Sequence, residues 1–88
     1  MDGKLVLTYE EVKLLAKGAK ADSRKDLYEK LIRSNTAAGT SILYLNASQA
    51  EELYRVAKNV LMKEGLDYSD RPNQIGLIME GIIKRLGH

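Results

Sequence analysis

The spacing of apolar and polar residues changes several times along the chain, and each change marks an element. From Lys4 to Thr8 (KLVLT) the period is two, so a strand there would carry Leu5 and Leu7 on one face and Lys4, Val6 and Thr8 on the other. Thr8 and Glu11 then stand at the spacing of a capping box, in which the hydroxyl accepts from the third helical amide and the carboxylate from the cap amide. A helix is predicted from Tyr9. Its buried stripe is Val12, Leu15, Ala16 and Ala19, and Gly18 with the polar run KADS ends it near Lys20. Ser23 and Asp26 signal a second start, and Leu27, Tyr28, Leu31 and Ile32 line a helix of about three turns.

The same order then recurs. Residues 35–40 (NTAAGT) have neither bulk nor period and read as a linker. Ile42 to Asn46 (ILYLN) is a second strand, apolar on both faces, with Leu43 and Leu45 on one side and Ile42 and Tyr44 on the other. Each face therefore needs a cover. Ser48 and Glu51 have capping-box spacing ahead of a longer helix striped by Leu53, Val56, Ala57, Val60 and Leu61, which ends at Gly65. After a loop over Leu66 to Asp70, Pro72 marks the start of a last helix running to Leu86. That helix shows Ile75, Leu77, Ile78, Met79, Ile82, Ile83 and Leu86, and is expected to be the most buried element. Gly76 and Gly81 inside it each cost about 1 kcal/mol relative to Ala, which implies another helix crossing at close range.

Two strand-helix-helix units follow, at 4–34 and 41–86 of one domain covering 1–88. Leu5 and Leu7 match Leu43 and Leu45, the Thr8–Glu11 box matches Ser48–Glu51, and LLAKGA matches RVAKNV, with small insertions in the second copy. Neither strand is stable alone. The expected architecture is α+β: a two-stranded antiparallel ribbon packed with four helices on one side, a pseudo-dimer within a single chain.

Composition narrows the function. Eighty-eight residues supply one small core. The absence of cysteine leaves no disulfide or thiolate and fits a reducing compartment. With no apolar run of membrane-spanning length, and an N-terminus (MDGKLVLTYEE) unlike a signal peptide, the expected location is cytoplasmic. The net charge of +2 comes entirely from residues 1–40, where eight Lys or Arg face six acids. Lys13, Lys17 and Lys20 run down one helix at a spacing suited to a phosphate backbone, or to a solvated face. The single histidine, His88, is the last residue and cannot be held as a base. Glu10–Glu11 and Glu51–Glu52 lie in first helical turns, where cap and dipole favour carboxylates. No phosphate-binding loop, zinc or calcium spacing is present. Nothing points to an enzyme, a metal or a cofactor. Tyr28, Tyr54 and Tyr68 read as half-buried rim residues.

The order carried by ILYLNASQAEELYRVAKNVLMKEG and YSDRPNQIGLIMEGIIKRL, and more loosely by LVLTYEEVKLLAKGAKADSRKDLYEKLIRS, resembles the ribbon-helix-helix DNA-binding family. The resemblance implies a small transcriptional regulator whose paired strands enter the major groove of double-stranded DNA. It places Lys4, Val6 and Thr8 of one strand and Ile42, Tyr44 and Asn46 of the other toward bases, with Lys4, Thr8 and Asn46 the polar readers. It also places the second-helix starts, Ser23 to Lys25 and Asp70 to Arg71, on phosphates through free amides, with Arg24, Lys25 and Arg71 adding charge. Ile42 and Tyr44 are apolar where base readers are polar. They support an alternative, a protein-binding module such as an inhibitor or adaptor that docks a partner on the outer face of the second strand. Cover by Tyr9, by the linker or by a second copy in a homodimer would serve equally.

Overall fold

The computed structural model describes residues 3–34 and 39–87. The element order is β1 (Gly3–Thr8), α1 (Tyr9–Ala21), α2 (Lys25–Ser34), β2 (Thr40–Leu45), α3 (Ala47–Glu64) and α4 (Gln74–Arg85). The fold is α+β, a two-stranded antiparallel sheet with four helices, as the sequence implied. Thr40, expected in the linker, is instead the first residue of β2. The rest of the linker apart from Gly39, and His88, lie outside the described residues.

The strands pair over their full length, from Gly3 opposite Leu45 to Thr8 opposite Thr40. Leu5, Leu7, Leu43 and Leu45 point inward and are buried. Ser41, opposite Leu7, is buried with them. They meet Val12, Leu15, Ala16 and Ala19 of α1, Leu27 and Leu31 of α2, Leu53, Val56, Ala57 and Val60 of α3, and Met79 and Ile82 of α4 in a single core. Each helix offers one apolar stripe and the sheet one apolar face, so a single dry interior serves all six elements.

The caps revise the predicted correspondence. Thr8 caps α1 in a full box with Glu11, as expected. On α3 the box is Asn46 with Gln49, not Ser48 with Glu51: the Asn46 side chain accepts from the Gln49 amide at 2.8 Å, and the Gln49 side chain accepts from the Asn46 amide at 3.0 Å. β2 runs to Leu45, so the helix starts at once and Ser48 already lies within it. With this change the match needs no insertion through the first helices. Thr8 to Asn46, Glu11 to Gln49, Leu5 to Leu43 and Leu15 to Leu53 are all separated by 38 positions.

The second helices also start differently. Ser23 is no cap; it adopts φ 58, and its amide closes onto the Lys20 carbonyl. Pro72 lies outside α4, bridging to Leu66, and Asn73 is the cap, accepting from the Gly76 amide at 2.9 Å. Nor is α4 the most buried element. Met79 and Ile82 are fully enclosed, but Leu77 is exposed and Ile75, Ile78 and Ile83 are only half-buried, because its apolar residues spread beyond the stripe that faces α3. Ile32 of α2 and Tyr68 of the α3–α4 loop are likewise exposed, against expectation.

The two α4 glycines have different roles. A Cβ on Gly76 would collide with the Gly65 carbonyl, where the end of α3 meets the start of α4 backbone to backbone. A Cβ on Gly81 would meet only the tip of Arg85, at 3.8 Å. Close approach therefore accounts for Gly76 and not for Gly81. Gly76→Ala is expected to lose roughly 1–3 kcal/mol of stability or more through enforced displacement of α4. Gly81→Ala should gain up to about 1 kcal/mol through helix propensity. Urea unfolding of the two variants beside the parent checks both signs.

Candidate nucleic-acid interface

The period-two pattern that buries four leucines puts the alternate residues outside, and helices occupy only the inner side. The outer face is three cross-strand pairs: Lys4 with Tyr44, Val6 with Ile42, and Thr8 with Thr40. Val6 is 46% exposed, Ile42 49% and Tyr44 70%. Among the described residues nothing covers the outer face of the second strand. Tyr9, a candidate cover, is itself half open to solvent.

Of the predicted base readers, Lys4 extends from one end of this face, opposite Tyr44. Thr8 and Asn46 lie at the two strand–helix junctions, where each side chain accepts a hydrogen bond from the amide three residues on. Capping occupies an acceptor on both and leaves the Asn46 amide nitrogen and the Thr8 methyl to face outward chemistry.

The turns ahead of α2 and α4 close most of the amides expected to meet phosphate. The amides of Ser23 and Arg24 donate to Lys20 and Ala19, and those of Asp70 and Arg71 donate to Asp67. The four are spent within their own turns, so the expectation that they are free for phosphate is wrong. The tight α1–α2 corner and the Asp67-centred loop consume the donors that a simple helix start would leave open. The charged side chains remain. Lys25 and Arg71 are exposed, and Arg24 lines a polar cleft with Glu51, Tyr54, Arg55, Lys58 and Asn59. Glu51 also lines a second hollow, with Gly3, Lys4, Leu5 and Leu45, so the basic cleft adjoins the Gly3–Leu45 end of the ribbon. Arg55 pairs with Glu51 at 3.4 Å and Lys58 lies 6.0 Å from the centre of the Tyr54 ring; both contacts are at the surface and weak. The Arg24 Nε is buried without a partner among the described residues.

Sequence reasoning missed the pairing that frames this surface. Arg85, in the last turn of α4, forms a fork onto Glu11 and donates to the Val6 carbonyl at 2.9 Å. That carbonyl belongs to the free edge of β1, so the guanidinium shields an otherwise open sheet edge. Glu11 is only 8% exposed and also accepts from the Thr8 amide at 2.8 Å. Burial alone would raise its carboxyl. The Arg85 hydrogen bonds and the Thr8 amide outweigh burial and hold the group below its ordinary value of 4.5. Residues 74 apart in sequence carry no local sign of this contact.

Among the described residues no cluster of His, Asp or Glu could hold a metal, and no helix is long and apolar enough to cross a membrane. Comparison with family models, with curated proteins and with solved structures finds no match to this chain.

The ion pair sets a pH dependence. Because the Glu11 carboxyl is depressed in the folded state, its contribution is complete above pH 4.5 and is lost as pH falls through the lower folded value. Arg85→Met is expected to cost about 1–3 kcal/mol at neutral pH by leaving a buried carboxylate short of donors. It should also flatten the loss of stability between about pH 5 and pH 3. Urea midpoints of both proteins across that range measure the two effects together.

Proposed function

We propose that the chain is a DNA-binding regulator in which one polypeptide supplies both halves of a ribbon-helix-helix dimer. The observation that carries this reading is the bare outer face of a ribbon held rigid from behind. Six residue pairs extend for roughly 20 Å, and a two-stranded ribbon of this kind fits a major groove about 12 Å wide. The register supports the pseudo-dimer. Leu5 lies opposite Leu43, its counterpart 38 positions on, and the pairs Gly3–Leu45 and Leu7–Ser41 exchange under that same shift. A two-fold axis through the Leu5–Leu43 pair therefore relates β1 to β2. Lys4 on the face, and the cleft of Arg24, Arg55 and Lys58 beside its end, supply cations where the flanking phosphates would lie.

Size argues against a homodimer through the same face. A ribbon about 20 Å long and two strands wide offers a few hundred Å² at most, against about 800 Å² per partner in a standard interface. A groove that wraps the ribbon and reaches the flanking cations makes up the difference through charge.

Duplex affinity is expected to fall steeply with salt. Lys4→Ala should weaken binding and lower the slope of log affinity against log salt by about one. Titration of a labelled duplex at several salt concentrations measures both; affinity that is absent, or flat in salt, removes the reading.

The apolar share of the face favours a second reading, in which Ile42 and Tyr44, with Val6 and Tyr9, anchor a protein partner. Tyr44 is too exposed to be core under either reading. Tyr44→Ala should leave stability within about 0.5 kcal/mol of the parent. Loss of a copurifying protein in that variant, with no duplex binding by the parent, would decide for docking; thermal unfolding supplies the control.

A further inference from the structure

We infer, resting on the DNA-binding reading, that the ribbon recognises an asymmetric duplex site whose centre presents thymine methyl groups. The asymmetry follows from the register. The axis through Leu5 and Leu43 carries Lys4 onto Ile42, Val6 onto Tyr44 and Thr8 onto Asn46. The backbones are thus related while every outward side chain differs from its counterpart. A symmetric dimer reads a palindrome because each half repeats the same contacts; this ribbon repeats none. The inward positions behave differently, since Leu5 and Leu7 are kept as Leu43 and Leu45. Identity is retained at these two leucine positions, though not between Gly3 and Ser41, and is absent at every outward position of this set.

The chemistry of the site follows from the order of pairs along the face. At one end are Lys4 and Tyr44, in the centre Val6 and Ile42, and at the other end Thr8 and Thr40. The ammonium of Lys4 matches the O6 and N7 acceptors of guanine. The central pair has no hydrogen-bonding group in its side chains. The only base-edge feature of the major groove that rewards an apolar contact is the C5 methyl of thymine. The threonine methyls extend that apolar strip toward the far end. Val6 and Ile42, each about half exposed in the free protein, would lose that exposure against such methyls. Facing unmethylated base edges, they would cover polar groups without satisfying them.

Selection from a random-sequence duplex pool, followed by replacement of each selected thymine with deoxyuridine, tests the inference. The expected consensus is non-palindromic, and each central deoxyuridine should weaken binding roughly fourfold, the value of one buried methyl. Ile42→Ala should bind the parent site more weakly and lose most of the difference between thymine and deoxyuridine, with unchanged salt dependence. A palindromic consensus, or indifference to deoxyuridine in a protein that binds duplex with a steep salt slope, overturns this inference and leaves the DNA reading standing. Absence of salt-dependent binding to any duplex overturns both.

Discussion

The fold depends on two six-residue strands, far apart in the chain, finding each other edge to edge. Alone, each is too short to hold together, and together they form an apolar face that shares one core with the stripes of the four helices. The corner between α1 and α2 turns the chain so that β2 returns to β1. The positive φ of Ser23 and the amides of Asp22, Ser23 and Arg24, all returned to carbonyls at the end of α1, make that corner tight. The sheet in turn fixes where both first helices begin, since Thr8, the last residue of β1, and Asn46, the residue after β2, each cap at once. Strand register, cap position and helix direction are thus one constraint expressed three times.

Elements whose cause is local could be read from the sequence, and those decided at a distance could not. The Thr8–Glu11 box and the stripes of α1 and α3 depend on neighbours within one or two turns, and they stand where the spacing placed them. The α3 cap offered two equally spaced pairs, and the choice between them depended on how far β2 stays paired. Gly3 of β1 decides that, paired with Leu45 from 42 residues away. In α4 the count of apolar residues overstated burial because only the arc facing α3 is enclosed, and Leu77 lies off it. The glycines showed the same limit. Gly76 and Gly81 look alike in sequence, and only the path of the α3–α4 connection distinguishes them.

The candidate surface was legible for the same reason as the core. A strand that alternates inward and outward residues names both faces together, so Lys4, Thr8, Ile42 and Tyr44 were placed by the pattern that buried the leucines. Hydrogen bonding at the helix corners was not legible. An acidic or polar residue ahead of a helix signals a start without saying whether the turn keeps its amides or leaves them open. Here Asp67 takes two amides, those of Asp70 and Arg71, and Lys20 and Ala19 take those of Ser23 and Arg24.

Glu11 and Gln49 hold equivalent places at the starts of α1 and α3 and differ in what else each can bind. Both side chains complete a capping box, because an amide oxygen accepts from the cap as well as a carboxylate does. Only the carboxylate can also hold a guanidinium in a fork. At Glu11 that second capacity recruits Arg85, fastens the last turn of α4 to the edge of β1, and keeps a buried charge satisfied. At Gln49 the cap survives without any such clasp, and the side chain stays near the surface. The cap is thus common to both helix starts, while the ion pair with Arg85 stands at one. The outward faces of the strands follow the same logic. On the strands, the leucines that enter the core match across the 38-residue shift, and the outward residues Lys4, Val6 and Thr8 differ from Ile42, Tyr44 and Asn46.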